Sequence, residues 1–327
     1  MEPAGAFVAI FHQDAAPVDP DLLIRMIDAS AHRGPAARTT LRTPRCALAA
    51  RWTSTTHLPD DYQLIGSDAG NLRIAFDGAV YNHHDAKATL PGPWRTSSDD
   101  ELFLRCYENR GIDGRADVAG VWGAAIWDGR DAGRLVVVRD RLGLKPVYYA
   151  RAPDGAVLFA SEIRSLLEYP SLARTLDHDA LHQLLTYRCV PAPRTLLAAV
   201  RKLPPGHTAV VDRDGLKITP YVEQTRVIER IGDRDATRVY GEAYERAVVS
   251  HAAGDLAVGV HLSGSIEDAA MLETIGQPSL HAFTVGARAS SGNEMTCAAA
   301  DAARGGVQHH TRLATDRDFD GFLDDYA

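Results

Sequence analysis

The chain has 327 residues, 45% of them hydrophobic, and a formal charge of -8. That length supports about two domains with ordinary cores, and the acidic balance excludes a general phosphate-backbone binder, whose surface is basic. No apolar run reaches membrane-spanning length and the start lacks the basic region of a secretory leader, so a cytoplasmic chain is expected, with neither nucleic acid nor membrane as partner. Cys46, Cys106, Cys189 and Cys297 lie far apart without CxxC spacing, which favours buried thiols over a zinc site or a disulfide framework.

Ala4 to Phe11 reads as a short apolar strand, and Asp19 to Ala31 as an amphipathic helix ending before His32-Arg33-Gly34-Pro35. Further strands are expected over Ala47 to Trp52, Leu72 to Phe76, Gly120 to Trp127, Arg134 to Arg139, Val147 to Ala150 and Val157 to Ala160. The Asp-Gly and Pro-Asp-Gly turns between them favour antiparallel pairing. Ser98 to Asn109 reads as a helix with Ser98 as N-cap and Glu101 at the capping-box position. A sandwich of sheets with outer helices fits this mixture. Val211 to Val222 alternates around Asp212-Arg213-Asp214-Gly215, a hairpin signal. The charged stretch Gln224 to Asp235 reads as a linker, followed by a helix over Ala236 to His251. Leu256 to Val260 is strand-like and runs into the turn His261 to Ala270. A helix over Glu267 to Ile275 closes at Gly276. Leu280 to Val285 is a second parallel strand, Glu294 to Arg304 its crossover helix, and Gly305 to Arg312 turn toward a third.

A strand, a small-residue turn and a helix aim free backbone N–H groups and the positive helix end at whatever sits above them, which suits a phosphate. Leu262-Ser263-Gly264-Ser265-Ile266-Glu267-Asp268 resembles the pyrophosphate loop of the ATP-pyrophosphatase fold in asparagine-synthetase-type enzymes, usually Ser-Gly-Gly, an apolar residue, Asp-Ser. Ser263 and Gly264 match. Ser265 replaces the second Gly, Glu267 the Asp, and Asp268 the Ser that would face the phosphates. A carboxylate ~4 Å from a phosphate charge costs about 4 kcal/mol at an effective dielectric of about 20, against about 0.3–1 kcal/mol of attraction from the helix end. Asp268 is therefore expected to repel nucleotide while capping its own helix, an anion site filled from within.

The resemblance is stronger upstream. His32 to Pro35, Phe76-Asp77-Gly78-Ala79-Val80-Tyr81-Asn82, Ser98 to Glu101, the run Arg139 to Tyr149 and Phe159 to Ile163 resemble the class II glutamine amidotransferase domain of asparagine synthetases. Tyr187 to Leu196 and Arg201 to His207 continue the match toward a synthetase half. The resemblance implies an α+β Ntn-type sandwich over residues 1–222, a linker over 223–235, and over 236–327 a truncated α/β domain of the ATP-pyrophosphatase-like (adenine nucleotide alpha hydrolase-like) kind. A partly built sheet exposes an edge and apolar surface, so a partner is expected there, either a second copy or a separate chain.

Members of this family use a Cys at the mature N-terminus, whose thiol attacks glutamine while the α-amine serves as base. Aligning Val8 to Phe11 with the family's opening strand puts Gly5 at that Cys, behind a Met1 to Ala4 extension that would block the terminus. The family's oxyanion-hole motif begins Asn-Gly-Glu and here reads Asp77-Gly78-Ala79. An ionised Asp77 would repel the developing oxyanion, reversing an effect often worth about 3 kcal/mol. Arg51 matches the Arg of the family's Arg-Leu pair, and Asp99 the Asp that would hold the glutamine amine. Glutamine hydrolysis is not expected. No cofactor is expected either, ATP and magnesium entering only if the loop is competent. Cys189 reads as a buried structural thiol, and His83-His84 and His309-His310 as ordinary hydrogen-bonded histidines, because neighbours on a strand point to opposite faces. The functional expectation is a binding or scaffold subunit, or an altered amide-chemistry step beside a partner. The alternatives are an ATP-dependent amide-forming enzyme of the beta-lactam-synthetase or lasso-peptide-cyclase kind, and a non-functional asparagine synthetase remnant.

Overall fold

The structure, a computed structural model, describes residues 5–52, 64–222, 230–252, 258–277, 279–287, 292–315 and 317–318. Chain contacts divide it into two units, Glu2–Arg226 and Val227–Ala327. Met1 to Ala4, residues 223–229 of the expected linker, and Leu256 and Ala257 of the expected strand lie outside the described residues.

In the larger unit, β1 (Gly5–Phe11) is apolar on both faces and buried throughout, which places it inside a sheet covered on both sides. α1 (Pro20–Asp28) starts where the Asp19 side chain accepts from the Asp21 N–H with Pro20 in the first turn, and it buries Leu22, Leu23, Met26 and Ile27. A 3-10 turn over Ala31–Arg33 ends this segment earlier than the sequence pattern suggests and delivers Arg33. β2 (Ala37–Arg42) and β3 (Cys46–Trp52) follow. β4 (Leu72–Val80) runs four residues past the expected Phe76 because its pairing with β5 continues through Asp77 opposite Gly123 to Val80 opposite Gly120. Next come α2 (His83–Ala88), α3 (Asp99–Arg110), β5 (Gly120–Asp128), β6 (Arg134–Arg139), β7 (Tyr148–Arg151), β8 (Val157–Ala160), α4 (Ile163–Leu167), α5 (His178–Tyr187), β9 (Val200–Lys202), β10 (His207–Asp212) and β11 (Gly215–Pro220). Ser98 caps α3 by accepting from the Glu101 N–H. The capping box is only half built, since the Glu101 carboxylate turns to the N–H groups of Arg95 and Thr96 instead.

The strand orders are β2-β3-β1-β8-β7-β9 and β11-β10-β6-β5-β4, with every pairing antiparallel. Phe7, Phe11, Leu48, Val137 and Phe159 fill the space between the sheets. Leu23, Met26 and Leu166 bring α1 and α4 onto the outside of the first sheet. Leu102, Phe103 and Tyr107 bring α3 against Ile74 and Trp122 of the second. The result is a helix–sheet–sheet–helix sandwich. At the end of β5, buried Asp128 accepts from Arg130, Arg134 and the Tyr107 hydroxyl, the last at 2.7 Å. Burial pushes the Asp128 carboxyl up, but these bonds together outweigh it and hold the value down to about 2, while burial beside this carboxylate pushes the Tyr107 hydroxyl up to about 12.

The smaller unit contains α6 (Asp233–Ala252), β12 (Gly259–His261), α7 (Ile266–Ile275), β13 (His281–Ala287), α8 (Gly292–Gly305) and β14 (Gln308–Ala314). Its sheet is ordered β12-β13-β14 and both pairs are parallel. One face packs on α7 and α8 through Val260, Leu272, Ala282, Ala298 and Ala302. The other carries Phe283 and Val285, 45% and 59% exposed. His309 and His310 do point apart: His309 Nε2 meets Thr284 Oγ1 at 2.8 Å, and His310 stacks on His281 and Phe283. Among the four thiols, Cys46 and Cys106 are buried, but Cys189 and Cys297 are exposed. The expectation of a buried Cys189 is corrected by its position just past the left-handed Arg188 that ends α5, where the chain crosses the surface. No helix among the described residues is long and apolar enough to cross a membrane.

Candidate active site

Gly5 opens β1 on the face that Phe7 turns toward the space between the sheets. A Cβ built on Gly5 would lie 3.6 Å from Asp77 Oδ1 and 3.2 Å from the Arg51 carbonyl. Asp77 reaches the same space from β4 of the facing sheet and is 1% exposed. The fold thus brings together the positions matched to the nucleophile and to the oxyanion hole.

What surrounds them is an ion cluster. Arg33 Nη2 donates to Asp77 Oδ2 at 2.7 Å, and Lys145 Nζ lies 3.2 Å from Oδ1. The same Arg33 donates through Nε to the Gly5 carbonyl at 2.9 Å and through Nη1 to Glu162 at 3.2 Å. Two cations and two carboxylates balance. Burial pushes the Asp77 carboxyl above the ordinary carboxylate value, with Lys145 and Arg33 acting against that shift. Arg33, Lys145 and Glu162 were not singled out from the sequence, although each sits in one of the motif runs quoted above. For Glu162 the signal was a charged residue in an otherwise uncharged motif; Lys145 shares its run with Arg139, Asp140 and Arg141 and had no such signal.

Gly78, matched to the second oxyanion donor, has a packing reason of its own. It pairs with Trp122, and a Cβ there would stand 2.2 Å from the Val121 carbonyl. Arg51 is not delivered to this space. It lies opposite Ala6, on the face turned to α1, where its Nη1 donates to Asp28 at 3.0 Å and its Nε to the Gly34 carbonyl at 3.0 Å. Asp99 is engaged through both oxygens, accepting from the Val80 N–H at 2.8 Å and meeting His83 Nδ1 at 2.7 Å. That arrangement ties the first turn of α3 to the end of β4.

In the smaller unit, the turn after β12 keeps Gly264 at φ +84°, where a Cβ would also stand 2.5 Å from the Glu294 carbonyl, so glycine is required. Leu262 is buried beneath it. The helix cap is Ser265, whose Oγ accepts from the Asp268 N–H, and not Asp268 as the sequence reading had it. The Asp268 carboxylate turns back instead and accepts from both the N–H and the hydroxyl of Ser263 at 2.6 Å. Burial pushes this carboxyl up, and the two bonds from Ser263, with the Ser265 hydroxyl nearby, hold it below the ordinary value. Glu267 is exposed. No group of three or more His, Cys, Asp or Glu side chains among the described residues is arranged to hold a metal ion.

Comparison with known proteins adds three findings. The model of the glutamine amidotransferase domain matches residues 5–222. The chain is 27% identical over 323 residues to "Asparagine synthetase [glutamine-hydrolyzing] 1" of Bacillus subtilis (strain 168), covering 96% of this chain and 50% of that one. It is 30% identical over 276 residues to the "Putative asparagine synthetase [glutamine-hydrolyzing]" of Mycobacterium tuberculosis (strain ATCC 25618 / H37Rv), covering 80% and 40%. The chain therefore spans about half, or less, of the length of these curated relatives. The sandwich of two antiparallel sheets between helices fits an Ntn-type domain.

Proposed function

The chain belongs to the glutamine amidotransferase domain family and its larger unit is asparagine-synthetase-like; from that premise we propose that this unit does not hydrolyse glutamine and serves as a binding or scaffold domain. The observation that carries the reading is the Gly5–Asp77 pair. Hydrolysis by the family's route needs a thiol beside a proton acceptor and neutral donors aimed at the oxyanion. Position 5 offers a hydrogen. Asp77 accepts from Arg33 and is paired with Lys145, so the cations that could meet an oxyanion are already engaged by it and it offers that oxyanion no neutral amide donor.

The smaller unit is read as an asparagine-synthetase-like ATP-pyrophosphatase segment whose phosphate position is taken by Asp268. Support comes from its parallel strand–turn–helix order and from a relative matched over 96% of the chain. Nucleotide activation is therefore not assigned to it. The partner of such a scaffold is a second copy of this chain or a separate chain carrying competent catalytic halves.

The test is ammonia release from glutamine by the purified chain, alone and as Gly5→Cys. Neither is expected to exceed the buffer rate, the variant because Asp77 still faces the new thiol. Release by the natural chain in proportion to its concentration would falsify the proposal.

A further inference from the structure

The strand orders of the larger unit leave two edges near one another, β9 in one sheet and β11 in the other. A cleft of about 430 Å³ opens there, its walls including Tyr149, Arg151, Arg201, Leu216 and Ile218. Pairing fixes which way these residues face. Tyr149 lies opposite Arg201 in the β7–β9 ladder, and Arg151 follows two residues on, so the three share a face. That face is the inner one, because Tyr149 packs its ring against Phe159 in the core between the sheets. Leu216 and Ile218, also two apart, pack on the same core from β11.

Alternation along these strands assigns the inner face to apolar side chains, and at this rim two guanidiniums occupy it. Arg201 is half-buried, and its side chain makes no hydrogen bond or ion pair among the described residues. Arg151 makes one long bond, from Nη2 to the Leu216 carbonyl at 3.4 Å. Among the described residues, no carboxylate lines the cleft. Departures from local pattern of this kind concentrate at functional sites, and two guanidinium forks above an apolar wall match a planar anion that carries a hydrocarbon body.

We propose that this cleft binds a small amphiphilic carboxylate, with its head on Arg201 and Arg151 and its body against Leu216, Ile218 and the Tyr149 ring. The volume lies within the roughly 300–1,000 Å³ of small-ligand sites. A bare inorganic anion would leave the apolar wall uncovered, whereas a hydrocarbon body removes it from water. The site uses none of Gly5, Asp77, Arg33 or Lys145, so it stands apart from the amidotransferase reading.

Calorimetric titration of the full chain with sodium octanoate tests this, with acetate, octanol and inorganic phosphate as separate arms. Octanoate is expected to bind at one site, acetate and octanol at least about tenfold more weakly, and Arg201→Gln to weaken octanoate about tenfold with an unchanged circular dichroism spectrum. Ile218→Thr is expected to weaken octanoate and leave acetate unmoved. The proposal is overturned by no octanoate binding, by phosphate binding as tightly as octanoate, or by an octanoate affinity indifferent to both substitutions.

Discussion

Two aspartates stand where the family resemblance has a neutral polar residue, and the structure holds them in opposite ways. Asp77 is buried and takes one cation from 44 residues earlier and another from the far side of β6. Asp268 is half-buried and takes both its donors from Ser263, five residues back, inside one turn. The first carboxylate is held by the tertiary fold and the second by local geometry. The same kind of substitution is therefore hard to reverse in one unit and easy in the other.

Reverting Asp77→Asn gives the largest expected effect. It removes one of the two carboxylates that balance Arg33 and Lys145, leaving an excess positive charge in the cluster, and costs about 3–5 kcal/mol, read from urea unfolding of the chain. An unchanged midpoint would mean that the cluster contributes nothing to the difference between the two sites. Gly78→Ala follows, at about 3 kcal/mol, because the new methyl meets the Val121 carbonyl in a paired strand. If its cost proves negligible, the retained glycine needs a reason other than packing.

A third measurement sets a buried acid of the larger unit against the half-buried Asp268. Asp128, held at about 2 from an ordinary 3.8, stabilises the fold fully above its ordinary value and loses that contribution as pH falls through about 2. The advantage of the natural chain over Asp128→Asn, about 2 kcal/mol by linkage, should shrink across that window and stay level above it. A constant difference down to pH 2 would remove the charge from the explanation. The smallest effect belongs to Asp268→Ser, expected to cost about 1 kcal/mol or less while freeing the Ser263 N–H for an anion. Inorganic pyrophosphate should bind the variant and not the natural chain in a calorimeter, and equal behaviour would show that Asp268 is not what excludes it.

Most of the sandwich was legible because its central strands are apolar or alternate and are bounded by Gly and Asp turns. β2 was not. Its sequence, Ala-Arg-Thr-Thr-Leu-Arg, alternates weakly and it lies at a sheet edge, where packing asks little of the side chains. β9 is three residues long, too short for any period. At the candidate site, Gly5 and Asp77 were visible as departures from a motif, while Arg51 and Asp99 look like substrate holders in one dimension and are engaged by α1 and by β4 in three. Side-chain direction follows from strand register, and register is set by partners that a single strand's sequence does not contain.

The three bonds of Arg33 join segments 28, 44 and 129 residues away from it. Contacts across such separations are worth little until the intervening chain is ordered, because loop closure must be met first. The Arg33 fork therefore matures after both sheets have paired. It acts as a latch on escape from the native state more than as a guide into it, so weakening it speeds unfolding and leaves the folding rate nearly untouched.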